Sequence, residues 1–195
     1  MEFNFDEEII LENERVLLRP LKADDYAVLV PVAIEDKDLN RFSPSQISSE
    51  ELFLQYVRQA LQDRQSKVRY AFSIFDKEKH QYAGSTSFAA ISNRDLRLEI
   101  GWTWLGTSFQ RTGLNRHCKF LLMQYAFDTL GFERVELKTD ERNAKSRAAI
   151  QKIGGREEGI LRSHTLMSDG FRRNTVYYGI LKDEWHELKK NFFQR

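Results

Sequence analysis

Cysteine is almost missing from this chain: Cys118 is the single one in 195 residues. That excludes an internal disulfide and any zinc site built on several thiolates. Proline is scarce too, with three in all, and there is no Gly/Ser-rich run or internal repeat to mark a linker. The expectation is one domain over residues 1–195, with 1–12 as an extension that need not be tightly ordered. No apolar run approaches the roughly 20 residues that span a membrane, and the acidic Met1–Glu8 segment lacks the basic-then-apolar order of a secretory signal. These absences lead us to expect a cytoplasmic protein without a membrane partner. Neither sign of charge dominates: 30 basic side chains face 29 acidic ones, which removes the positive field of a general nucleic-acid binder. His80, His164 and His186 show no ligand spacing, so no metal is expected.

What is present is ordinary globular composition, 41% apolar and 12% aromatic, ordered into recognisable elements. Arg15–Pro20 reads as a strand. Asp24 and Asp25 open a helix that Pro31 disturbs early, and Ser48 with Glu51 has capping-box spacing ahead of Leu52, Tyr56, Val57 and Leu61. Tyr70–Phe75, Tyr82–Ile91 and Leu96–Leu105 read as three antiparallel strands. An amphipathic helix over Leu114–Leu130 ends at Gly131. Then follow a strand (Arg134–Thr139), a helix (Lys145–Ile153), two strands (from Glu158 and over Thr175–Leu181) and a last helix from Asp183. This order gives an α+β, mixed-sheet fold of about seven strands flanked by helices, unlike regular βαβ alternation.

The stretch Gln110-Arg111-Thr112-Gly113-Leu114-Asn115 stands between a strand and a helix. Gly113 can take backbone angles denied to other residues, Arg111 adds positive charge and the helix adds its N-terminal dipole. The same pattern serves a pyrophosphate or an ordinary turn, and it is not a Walker loop, which would end in Gly-Lys-Ser/Thr. In the strand before it, Leu96, Leu98, Ile100 and Trp102 alternate onto one face and leave Arg97, Glu99 and Gly101 on the other. Burial near Trp102 and Trp104 would raise the Glu99 pKa and suit it to general-base work. Pairing with Arg97, Arg94 or a neighbouring strand would make it structural instead. Cys118 falls on the apolar face with Leu121, Leu122 and Tyr125, which suits a buried small residue better than a covalent acyl carrier.

Taken in order, Glu99-Ile100-Gly101, Thr103-Trp104-Leu105, Gln110 to Asn115, Leu130 to Leu137, Arg142-Asn143-Ala144-Lys145-Ser146-Arg147 and Glu157 to Arg162 resemble the GNAT superfamily of acyl-CoA-dependent N-acetyltransferases, in its RimJ/RimL-like branch. The likeness covers most of the chain, with its specific signals between about residue 97 and Leu181. It implies a GNAT fold with a splayed, mostly antiparallel sheet and acetyl-CoA in the gap. By position, Trp104 and Leu105 would pair with the pantetheine arm. Gln110, Arg111, Thr112, Gly113, Leu114, Asn115 and Arg116 would surround the pyrophosphate, and Asn143 and Ser146 would reach the cofactor from the other side. Asn115 departs from the small residue usual at its place.

The resemblance further implies Glu99 as general base and Ser146 as a hydrogen-bond partner of the leaving sulfur, unless that hydroxyl only caps its helix. A tyrosine acid common in the family has Ile150 at its place here, so that route is closed. The acceptor implied is a primary amine, on a protein N-terminus or a small molecule, chosen by a helical segment around Asp36 to Ser49 together with residues 162–175. Dimers are common among similar proteins, so a homodimer is compatible with the resemblance. Ile150 and Asn115 keep open an alternative, a non-catalytic acyl-CoA sensor or interaction module.

Overall fold

A computed structural model describes residues 1–194. Eight strands form one sheet: β1 (Leu11–Glu12), β2 (Val16–Pro20), β3 (Arg69–Asp76), β4 (Gln81–Ser92), β5 (Arg97–Leu105), β6 (Arg134–Asp140), β7 (Arg156–Leu166) and β8 (Arg172–Leu181). Their order across the sheet is β1-β2-β3-β4-β5-β6-β8-β7. Five helices accompany them: α1 (Asp25–Ile34), α2 (Glu50–Gln65), α3 (Leu114–Gln124), α4 (Ala144–Lys152) and α5 (Lys182–Lys190). The expected mixed α/β architecture is found, with one more strand than the sequence suggested: β1 is too short to leave an alternation signal.

All neighbouring strands are antiparallel except β5 and β6, whose connection crosses over through α3. Two cores follow from the strand period. Phe72, Ile74, Phe88, Leu98 and Ile100 face Leu114, Cys118, Leu122 and Met123 of α3, and Ile150 and Trp185 join them from α4 and α5. On the other face, Ala71 and Trp104 pack beneath Leu29, Ala33, Phe53, Tyr56 and Val57 of α1 and α2. The N-terminal segment contributes as well, with Phe3 and Ile9 buried and the Asn93 amide bonded to both backbone groups of Phe3. No helix among the described residues is long and apolar enough to cross a membrane.

Several local expectations are corrected. Pro31 lies inside α1, which continues past it to Ile34, so the expected disturbance amounts to one missing i to i−4 bond and not to a break. The cap of α2 is Ser49, whose hydroxyl accepts from the Leu52 N–H, and not Ser48. The long helix beginning at Leu114 closes in a π-helical turn over Tyr125–Thr129 before Gly131. Residues 36–49 form successive turns where a helical segment was expected, and residues 162–175 are mostly strand. There β7 and β8 run on to a tight turn, with the Gly170 N–H donating to the Met167 carbonyl.

The feature that positions the site is where the sheet comes apart. β5 and β6 share only three rungs, Arg97 with Arg134, Leu98 with Val135 and Glu99 with Glu136. Beyond Glu99, β5 stays on β4 to Leu105 while β6 stays on β8 to Asp140. The two strands diverge and leave a wedge between them.

Candidate active site

Along the wedge, β5 breaks its own alternation. Ser87 pairs with Gly101 and Ser85 with Trp104, so Trp102 and Thr103 together oppose Thr86. This is a β-bulge, and Trp102 sits in it with φ +48°. Trp102 therefore does not join Leu98 and Ile100 in the core: it is 37% exposed and lies under the Arg69 guanidinium, 5.3 Å from its ring centroid. The extra residue reverses the parity, so Trp104 points to the α2 side together with Glu99, while Thr103 points toward α3. A tryptophan held at positive φ costs about 1–2 kcal/mol, which marks the bulge as imposed by its surroundings.

Glu99 ends the shared ladder and is only 5% exposed. Its Oε2 lies 2.6 Å from Lys138 Nζ on β6. Burial raises the carboxyl pKa above the ordinary value, with Glu136 adding to the rise, while Lys138 pulls against it through its hydrogen bond and charge. The partner is thus on the neighbouring strand. Arg97 pairs with Asp95 and Glu136 instead.

The loop before α3 is built by two left-handed residues, Arg111 at φ +61° and Gly113 at φ +86°. Nothing lies within 4 Å of where a Gly113 Cβ would stand, so the space above the loop is open. The Arg116 N–H is taken by the Gly113 carbonyl and the Leu114 N–H leans on Thr112 Oγ1. The N–H groups of Arg111, Thr112, Gly113 and Asn115 have no protein acceptor among the described residues. Four free donors at a helix start make an anion nest. Gln110 acts as a brace, its amide donating to the Leu105 carbonyl. Asn115 Oδ1 and Arg116 Nη2 are buried without a partner.

Across the wedge, Asn143 caps α4, its Oδ1 accepting the Ser146 N–H at 3.0 Å. Ser146 is half-buried in the first turn, and its hydroxyl has no protein partner among the described residues. Ile150 is buried in the core. Cys118 is fully buried and its thiol pKa is pushed up to about 12, so it is inert.

Strand and spacing patterns did not single out three groups that the fold brings here, Lys138, Arg142 and Lys119. Lys138 pairs with Glu99 and stands 5.1 Å from the Tyr177 ring. The alternation in β8 leaves Tyr177 half-buried beside Lys138 and packs Tyr178 into the core. Arg142 is held by Asp140 and lies over the Phe171 ring, 3.8 Å from its centroid, and 5.7 Å from that of Phe42. Lys119 is buried under the bulge, its Nζ donating to Thr103 Oγ1 at 2.6 Å, and burial lowers its pKa to about 8. A lysine in a helix whose neighbours were read as apolar was the available signal for that last group. No trio of His, Cys, Asp or Glu among the described residues is placed to hold a metal.

Parting parallel strands, a bulge on one of them and free N–H donors at a helix start make a cleft able to hold an elongated anionic ligand. The family described as "Acetyltransferase (GNAT) domain" matches residues 15–156. The chain belongs to the GNAT family of N-acetyltransferases. A crystal structure of a GCN5-related N-acetyltransferase from Brucella melitensis superposes with a TM-score of 0.87 at 28% identity, covering 95% of this chain and 84% of that one. YdaF of Bacillus subtilis (strain 168), provisionally named a ribosomal N-acetyltransferase, is 34% identical over 106 residues, 54% of this chain and 57% of that protein. The uncharacterized N-acetyltransferase p20 of Bacillus licheniformis is 25% identical over 178 residues, 90% of this chain and 97% of its own. The name borne by YdaF supports the RimJ/RimL-like branch.

Proposed function

We propose that the chain, acting as one domain, transfers an acetyl group from acetyl-CoA directly to a primary amine. The observation that carries this reading is the parting of β5 and β6 beyond Glu99, with the four free N–H groups of the Arg111–Asn115 loop at the open end. A strand whose flank is unpaired beyond Glu99 and which leads into free N–H donors suits a long donor with a pyrophosphate at one end. The donor supplies the thioester, whose C–S bond breaks as the amine forms its C–N bond.

The protein's own part has three components. Glu99, made more basic by burial, accepts the proton that the amine must lose, directly or through water. Backbone N–H groups of β5 near Trp104 and Leu105 face developing oxyanion charge. The uncommitted Ser146 hydroxyl hydrogen-bonds the departing sulfur. Asn143 contributes by fixing the first turn of α4 on which Ser146 rides.

A sensor that binds the donor without turnover is favoured by one fact, the engagement of Glu99 by Lys138. Thiol release from acetyl-CoA across a panel of amines decides between them. An enzyme releases thiol only when a suitable amine is present, and tight donor binding with no release for any amine would leave the sensor standing.

A further inference from the structure

The sheet face that carries Glu99 is covered by α1 and α2 over β3 and β4, but its outer part, over β6 and β8, is polar. Register places Glu99, Glu136, Lys138, Asp140, Thr175 and Tyr177 on that one face, and Arg173 follows by alternation. The carboxylates there are each matched by a cation. Glu99 has Lys138, Glu136 has Arg134 and Asp140 has Arg142, with N–O distances of 2.6, 3.0 and 2.7 Å.

Arg173 is the cation left over. No carboxylate among the described residues lies within 4 Å of it. Its Nε donates to Thr175 Oγ1 at 3.1 Å and one Nη1 hydrogen to the Phe42 carbonyl at 3.0 Å. A guanidinium has five N–H donors, so three are uncommitted, including both on Nη2. The group is half-buried, burial lowers its pKa, and Glu99 and Asp140 are near enough to act on its charge. Holding the Phe42 loop needs one of those donors. A planar fork left free in a half-buried site is matched to an incoming carboxylate.

Resting on the N-acetyltransferase reading above, we infer that the acceptor bears a carboxylate close to its primary amine and that Arg173 receives it. A free amino acid and a peptide N-terminus followed by an acidic residue share this chemistry. Polyamines and other polycations lack it and offer nothing to Arg173, the one cation on this face without a carboxylate partner among the described residues.

The test compares matched acceptors: an amino acid with its amide, and a short peptide with an acidic second residue with its amide-bearing counterpart, with spermidine as the polycation. The carboxylate member is expected to have kcat/KM higher by about tenfold or more, and the better of the two pairs identifies the source. Arg173→Met should collapse the acid-to-amide ratio through KM, and Arg173→Lys should keep part of it. Reading each ratio against wild type cancels the difference in amine basicity. Equal rates for acid and amide in wild type, or a ratio that Arg173→Met leaves intact, would overturn the inference. Calorimetric binding of N-acetyl amino acids and their amides is read independently of turnover. Preferential binding of the acids that is lost in Arg173→Met upholds the carboxylate site even if no thiol is released, and absence of preference sinks it.

Discussion

Lys138 Nζ sits 2.6 Å from Glu99 Oε2, joining the last residue that β5 shares with β6 to the second residue beyond that rung. This contact opposes the burial that otherwise raises the Glu99 pKa. Lys138→Met therefore moves the carboxyl pKa further up, and the acid limb of kcat/KM against pH shifts to higher pH. Glu99→Gln abolishes that limb and lowers turnover by about 10²-fold or more. Profiles unchanged in both variants would remove Glu99 from the base role.

Lys119 makes the opposite kind of prediction, about stability. Its folded pKa is about 8 against 10.5 for an ordinary lysine. Below pH 8 the cost of a buried charge is fully present. Between about pH 8 and 10.5 the native state releases the proton while the unfolded chain keeps it, so stability rises with pH. Lys119→Met should stabilise the protein at pH 7 by at most about 3 kcal/mol, less the lost bond to Thr103, with the gain shrinking toward pH 10. Urea unfolding at both pH values reads this out, and a variant less stable at pH 7 contradicts it.

Two glycines should respond differently to alanine. At Gly113 a Cβ meets nothing within 4 Å, so Gly113→Ala carries only the left-handed backbone cost of about 1 kcal/mol together with a higher KM for acetyl-CoA. At Gly84 a Cβ would stand 2.1 Å from the Trp104 carbonyl oxygen, which forces β4 and β5 apart. Thermal melts with and without CoA separate the two: CoA raises the Gly113→Ala melt less than wild type, whereas Gly84→Ala melts early in both.

Arg142 ties three segments together through Asp140, Phe42 and Phe171. Removing it in Arg142→Ala should release residues 36–49, read as faster cleavage there in limited proteolysis while the core strands stay protected. Cleavage at the wild-type rate would show that the Arg173 bond to Phe42 suffices.

Much of the frame was legible because its signals are local. Alternation found β3 to β6, Gly131 marked the end of the long helix segment, and the Gln110–Asn115 pattern marked the turn into α3 where the free N–H donors stand. What escaped depends on pairing between distant segments. The bulge at Trp102 leaves no mark in the alternation of β5 itself, since it is set by Thr86 on the adjacent strand. Lys138 looks like an ordinary strand cation, and Arg173 like one charge among several in the 162–175 segment, until the parallel register of β5 with β6 and the antiparallel register of β6 with β8 place them on the face of Glu99. Ser48 and Ser49 are chemically equal caps, and only the bond to the Leu52 N–H separates them.

The three-rung pairing of β5 with β6 has a mechanical consequence. Glu99 stands at the fulcrum of the wedge, where the strands are still laced together, while the nest and the α4 cap lie out on its arms. A change in opening angle would thus carry the arms through large arcs and leave the carboxylate almost still. Breathing of the mouth, as ligands enter and leave, would thereby be uncoupled from the placement of the proposed proton acceptor.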